Sequence, residues 1–246
     1  VGPVLVTTNQ TELLETLDDL KLYGGGDCPE FTLKGILTAL KYALPKSYAY
    51  IFTDAIAKDF ALEIEVLSLI QRRQSTLTFL LTGFCKSKDS AGYEVFERLA
   101  SSSNGQVYNL KTQEIKIVLE DIKNSLDQRR VSLKYLDSSV ADEHSIDVSI
   151  DENLKEFSVS VAGLNPNISV INPKKEVYEK GKNVLDLENL KVVHVENPIP
   201  GEWNVKTTSD SAHSVRLTAI SDITFGFGFS LKAPQSISET VFNPLK

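Results

Sequence analysis

The first half of the chain alternates short apolar runs with longer stretches in which apolar residues return every three or four positions. Residues 4–7 (Val-Leu-Val-Thr) read as a short strand. Asn9 or Thr11 can cap a helix over 12–20, with Leu13, Leu14 and Leu17 on one side. Leu33, Ile36, Leu37, Leu40 and Leu44 predict a helix over 31–43, and Pro45 stops it. The near-continuous apolar run Tyr48–Thr53 predicts a strand covered on both faces. A helix over 58–73 follows, with Phe60, Ile64 and Leu67 turned inward and Arg72-Arg73 at the negative end of its dipole. Residues 76–82 form a second buried strand, 90–101 a helix on Tyr93, Phe96 and Leu99, and 106–109 a short strand after the Asn104-Gly105 turn. Ile115, Val118, Ile122 and Leu126 predict a last helix over 112–126. Strands alternating with helices of this length mean βαβ units on a parallel sheet.

Near Arg129-Arg130 the pattern changes. Ile146, Val148 and Ile150 alternate with polar residues, as do Phe157, Val159 and Val161. So do Trp203 and Val205, Val215 and Leu217, and Ile223, Phe225, Phe227 and Phe229. Asn165-Pro166 and Pro200-Gly201 mark turns between these runs. Period-two alternation with frequent turns predicts an all-β antiparallel sandwich, with Trp203 in its core. The division expected is 1–130 for the α/β region, 131–232 for the sandwich and 233–246 for a linker or tail.

Composition narrows the function. With 246 residues, 41% hydrophobic and 24% charged, the chain has the make-up of ordinary globular protein and room for two modest domains. A net charge of −7 and the absence of a basic stripe with interleaved aromatics argue against nucleic acid. No apolar run nears the ~20 residues that span a bilayer, so no membrane insertion is expected. The chain opens on Val and contains no Met, which reads as an internal cut of a longer protein.

Two stretches carry candidate chemistry. Tyr23-Gly24-Gly25-Gly26-Asp27-Cys28-Pro29-Glu30 is a glycine loop ending in an acid just before a helix. Phe52-Thr53-Asp54-Ala55 ends a buried parallel strand. Ligands of open α/β sheets sit outside the carboxyl ends of the strands, and two carboxylates brought there suit a hard divalent cation. Asp27 reads equally as a helix N-terminal acid and Asp54 as an N-cap. Cys28 and Cys85 both follow strand-end regions on this edge. A bridge between them would close a loop of roughly 57 residues and stabilise by about 4 kcal/mol in the chain-entropy model; the alternative is two free thiols. Asn9-Gln10-Thr11 and Asn167-Ile168-Ser169 are glycosylation sequons. His144, His194 and His213 lie far apart without zinc spacing and read as ordinary strand or loop residues. Asp59, Glu63 and Glu65 read as a solvated helix face. No Gly-x-Ser-x-Gly elbow is present.

At the glycine loop and the Phe52-Thr53-Asp54-Ala55 turn, the chain resembles the von Willebrand factor type A domain. Gly24-Gly25-Gly26-Asp27-Cys28-Pro29-Glu30, Leu81-Thr82-Gly83-Phe84-Cys85 and Ser103-Asn104-Gly105-Gln106-Val107 look like the hemicentin family in particular. Lys191-Val192-Val193-His194-Val195, Pro200-Gly201-Glu202-Trp203-Asn204-Val205-Lys206-Thr207 and Ser214-Val215-Arg216-Leu217 are similar to the β-rich segment that follows the A domain there. The resemblance implies a Rossmann-like A domain, here lacking its first strand, joined to an immunoglobulin-like or galactose-binding-like sandwich. It implies a secreted, non-enzymatic adhesion module of extracellular matrix, binding matrix or cell-surface proteins through Mg²⁺ or Ca²⁺. In that site Asp54 matches the third metal loop and Asp27 falls at the position of the second. The first loop, Asp-x-Ser/Thr-x-Ser, does not occur ahead of Val4, so the strand Tyr48–Thr53 is expected to have an open edge. Two other readings stand beside this one. One is an intracellular scaffold with a non-functional metal site. The other is a metal-assisted hydrolase using Asp27 and Asp54, for which Glu30 but no histidine lies nearby.

Overall fold

The computed structural model describes residues 4–21, 28–83, 85, 90–126, 130–178, 184–221 and 232–233. The predicted alternation of strand and helix in the first half is present. Helix α1 (Gln10–Asp18) starts at Asn9, whose side chain accepts from Thr11 N. Helices α2 (Thr32–Tyr42), α3 (Glu63–Arg73), α4 (Ala91–Ser102) and α5 (Ile115–Leu126) follow the apolar spacing. Strands β1 (Tyr48–Thr53), β2 (Thr76–Leu81) and β3 (Val107–Asn109) form a parallel sheet in the order β1-β2-β3. Its core is Leu33, Ile36, Leu40, Val66, Leu69, Ile70, Phe79 and Phe96, with the Phe79 and Phe96 rings stacked 4.7 Å apart.

Three details differ from expectation. Residues 4–7 are not a strand; among the described residues no backbone pairs with them, and Val6 is 73% exposed. The helix expected over 58–73 begins as a 3-10 turn, Phe60–Leu62, and becomes α-helical only at Glu63. That change of winding turns Val66, Leu69 and Ile70 inward and leaves Phe60 and Ile64 exposed. Strand β1, expected to be covered on both faces, leaves Tyr48 and Phe52 about half exposed; among the described residues it pairs with β2 alone, in keeping with the expected open edge.

From Arg130 onward the described chain is antiparallel β. Its strands are β4 (Arg130–Ser138), β5 (Asp142–Ile150), β6 (Leu154–Ala162), β7 (Asn167–Ile171), β8 (Val184–Asp186), β9 (Leu190–Glu196), β10 (Gly201–Ser209) and β11 (His213–Ser221). One sheet has the order β5-β10-β7 and the other β4-β11-β6-β9-β8. The alternating apolar residues of both turn inward: Ile146, Val148, Phe157, Val159, Val161, Val205, Val215 and Leu217. Trp203 is buried among them, edge-on to Phe157 and Tyr178, and its indole N–H donates to Ile199 O. The alternating run from Ile223 to Phe229 lies outside the described residues.

Candidate functional site

Three loops meet at the carboxyl edge of the parallel sheet. The loop after β1 carries Thr53 and Asp54; the Thr53 hydroxyl accepts from Ala55 N at 3.2 Å, and the Asp54 side chain is exposed. The segment before α2 lies along this loop. Glu30 N donates to Ile56 O at 2.8 Å and Lys58 N to Glu30 O at 2.8 Å. The loop after β2 closes the group: Thr82 N donates to Thr53 O, and Gly83 passes so near Asp54 that a Cβ would stand 2.5 Å from its carbonyl oxygen. Only glycine fits that approach. A disulfide joins Cys28 to Cys85, with Cα atoms 5.8 Å apart, and so ties the segment before α2 to the loop after β2.

Asp27 lies outside the described residues. Asp54 is therefore the one predicted metal ligand whose place can be stated. Among the described residues no three His, Cys, Asp or Glu side chains gather to hold a metal ion. The Thr53 hydroxyl is engaged by its own loop. One exposed carboxylate does not by itself fit Mg²⁺ or Ca²⁺, which take several oxygen ligands. Glu30 is exposed and enters the edge through its backbone. Asn9 and Asn167, the sequon asparagines, are both exposed.

Other acids have structural work. Asp59 receives Leu33 N and Lys34 N at 3.1 and 2.8 Å, and so caps α2 from the far side of the loop after β1. Glu63 holds Arg98 of α4 through two hydrogen bonds, 2.7 and 2.9 Å. That partner draws the Glu63 carboxyl below the usual carboxylate range. The reading of Asp59 and Glu63 as a merely solvated face is corrected on both points.

The second concentration of buried polar groups lies where the two halves meet. Gln106, 4% exposed, donates through Nε2 to Ser214 O and Oγ and accepts from Ser160 Oγ at 2.7 Å. Arg216, 5% exposed, donates to Gly105 O at 2.9 Å and to Asp137 at 2.7 Å; Asp137 in turn accepts from Ser101 of α4. His194 of β9 stands between Asp121 of α5, 2.9 Å from Nε2, and Glu156 of β6, 3.0 Å from Nδ1. Burial works against a charge on this ring, but its hydrogen bonds to the two carboxylates, and their charges, outweigh it and push the pKa up to about 9. Apolar packing backs these contacts. Leu80, Leu110, Val118 and Ile122 of the first half share one buried cluster with Ala162, Leu185, Leu190 and Val192 of the second. Beside it a cleft of about 870 Å³ runs between α4 and the sandwich, lined by residues that include Tyr93, Arg98, Asn109, Asp137 and His213. None of this clamp is marked by local sequence; its members meet only in the fold.

The described chain is thus an α/β region with a parallel sheet clamped to an antiparallel β region. The von Willebrand factor A domain family matches residues 1–112, and the hemicentin galactose-binding domain-like family matches residues 130–222. Along its whole length the chain is 39% identical to human Hemicentin-1 and 37% identical to mouse Hemicentin-2. It spans only 4% and 5% of those two relatives. Human von Willebrand factor A domain-containing protein 7 is 27% identical over 94% of this chain and 28% of its own. The chain is thus similar to the hemicentins along its whole length, with a segment that matches the von Willebrand factor A domain family followed by one that matches the hemicentin galactose-binding domain-like family. A solved structure, a Bacillus licheniformis lipase, overlaps 66% of the chain and 44% of its own at a TM-score of only 0.30 and 8% identity.

Proposed function

We propose that this chain is an adhesion module of a secreted, hemicentin-like matrix protein, and that it binds matrix or cell-surface proteins without making or breaking bonds. The observation that carries the reading is the full-length similarity to the hemicentins across both regions in the same order. The disulfide at the carboxyl edge and the exposed sequon asparagines support an extracellular setting. Among the described residues, no helix is long and apolar enough to cross a membrane. The A-type region occupies 1–130, the sandwich 131–232 and a linker 233–246.

The partner-binding face is the carboxyl edge of the sheet, where Asp54 is exposed beside the Cys28–Cys85 bridge. Asp54, with Asp27, contributes carboxylates toward a divalent cation there, and Asn9 and Asn167 carry glycans. The hydrolase reading gains no support, since all three histidines lie in the β half, away from Asp54.

The test is expression in secreting cells, followed by non-reducing intact mass and by binding to immobilised basement-membrane extract with and without EDTA. Secretion with glycan mass, and binding that both EDTA and Asp54→Ala weaken, are the expected results. Retention inside the cell with bare sequons overturns the adhesion reading. Secreted protein whose binding ignores EDTA and Asp54→Ala removes the cation and keeps the module.

A further inference from the structure

One end of the sandwich core is polar. In the antiparallel ladder Thr207 of β10 lies directly opposite His144 of β5, so both side chains leave the same face of that sheet. Trp203, Val205, Thr207 and Ser209 are the buried set of β10, which makes that face the inner one. His213 opens β11 on the facing sheet, and its ring centre is 5.1 Å from that of His144. Thr207 is fully buried and His213 is 5% exposed. Gly163 makes room for them: a Cβ there would stand 2.5 Å from both His213 Cβ and Ser209 Oγ.

Three buried atoms in this small space have no hydrogen-bond partner among the described residues: His144 Nε2, His213 Nε2 and Thr207 Oγ1. Buried polar atoms are nearly always partnered, so three together point to something that binds them. The tautomer of His213 says what kind. Its Nδ1 lies 2.9 Å from Ser211 O. A carbonyl only accepts, so Nδ1 holds the proton and Nε2 presents a lone pair. A ring held through its other nitrogen by a backbone carbonyl is the usual posture of a metal-ligating histidine.

We propose that His144 and His213 form a transition-metal site at this end of the sandwich, binding Zn²⁺ through their Nε2 atoms, with Thr207 hydrogen-bonded to a water on the ion. Imidazole nitrogen suits Zn²⁺ and Cu²⁺ and not the hard ions Mg²⁺ and Ca²⁺, so the site differs in kind from the carboxyl edge. The spacing fits. With Zn–N bonds of about 2.0–2.1 Å and a ring centre about 1.2 Å behind each nitrogen, rings 5.1 Å apart subtend about 105° at the ion, close to tetrahedral. No third His, Cys, Asp or Glu joins them among the described residues, so water completes the shell. His213 also lines the cleft between the halves, which gives the ion a route in.

The experiment uses the full chain, freed of metal with EDTA and dialysed. Zn²⁺ is titrated by calorimetry, thermal unfolding is followed with and without Zn²⁺, and Co²⁺ is added as a visible reporter of tetrahedral coordination. One Zn²⁺ per chain, a rise in Tm and intense visible Co²⁺ bands are expected in the wild type and in His194→Gln. Binding is expected to fall at least tenfold in His144→Gln and in His213→Gln. Where either of those variants fails to fold, the wild-type isotherm and spectrum still decide. No saturable Zn²⁺ binding with an unmoved Tm overturns the proposal, as does binding that both variants leave unchanged.

Discussion

His194 shows how one side chain can hold two halves of a molecule. It links a helix of the first region to a strand of the second through Asp121 and Glu156. Because the folded pKa is raised from 6.5 to about 9, the folded state binds its proton more tightly than the unfolded chain does. The stabilisation is therefore fully present below about pH 6.5 and is lost as pH rises toward 9. A shift of this size corresponds to on the order of 3 kcal/mol. Urea unfolding of the wild type should lose stability between pH 6.5 and 9, and His194→Gln should lose much less over that window. Parallel pH profiles would mean that the ring is not charged in the folded state. Nothing about Lys191-Val192-Val193-His194-Val195 announces this role, since the sequence separates His194 widely from both acids. The same holds for His144 and His213, which become neighbours only when the two sheets face each other. Pair chemistry between distant residues is set by topology, and single-sequence spacing does not carry it.

Elements were far more legible, because hydrophobic periodicity is a local property. Helices α2, α4 and α5 bury most of the described residues their spacing selects: Leu33, Ile36 and Leu40, then Tyr93, Phe96 and Leu99, then Val118 and Ile122; Leu44, beyond the end of α2, is 77% exposed. Where the reading failed, a neighbour decided. Residues 4–7 have strand-like composition, but a strand exists only against another strand, and the described chain offers none there. Strand β1 has the apolar content of a strand covered on both faces, yet Tyr48 and Phe52 are about half exposed; among the described residues it pairs with β2 alone, the open edge that the resemblance implied. An apolar strand with an unpaired edge invites pairing between copies. This chain in isolation should therefore self-associate as its concentration rises, and Phe52→Lys should reduce that association with little change in Tm, because Phe52 is already 52% exposed. Light scattering across a dilution series reads the effect. Monomers at every concentration for both proteins would show that the edge is protected. At the carboxyl edge the strand ends were legible: Thr53, Asp54 and Gly83 come together on adjacent loops.

At the scale of the whole molecule, the question is whether the two regions behave as one. Each has its own apolar core, so each could unfold alone. Between them lie a shared apolar cluster and the buried contacts of Gln106, Arg216 and His194. Arg216 is the most informative of these. It serves Gly105 O, Leu136 O and Asp137 at once, and Asp137 reaches on to Ser101. Arg216→Met keeps most of the side chain's volume but takes the arginine donor from the Gly105 carbonyl and leaves Asp137 only Ser101, a loss of about 2–3 kcal/mol. Because the shared contacts make unfolding of either half costly to the other, the wild type should melt in a single calorimetric transition. Combining Arg216→Met with Gln106→Ala removes the polar seam on one side of the shared cluster. The transition should then broaden or split, with the β half melting apart from the parallel sheet. A wild type that already shows two transitions would mean that the seam orients the halves without coupling their stabilities. A single transition that splits in the double variant would mean that the carboxyl edge is presented on a rigid base, so that force or ligand binding at one half is felt at the other.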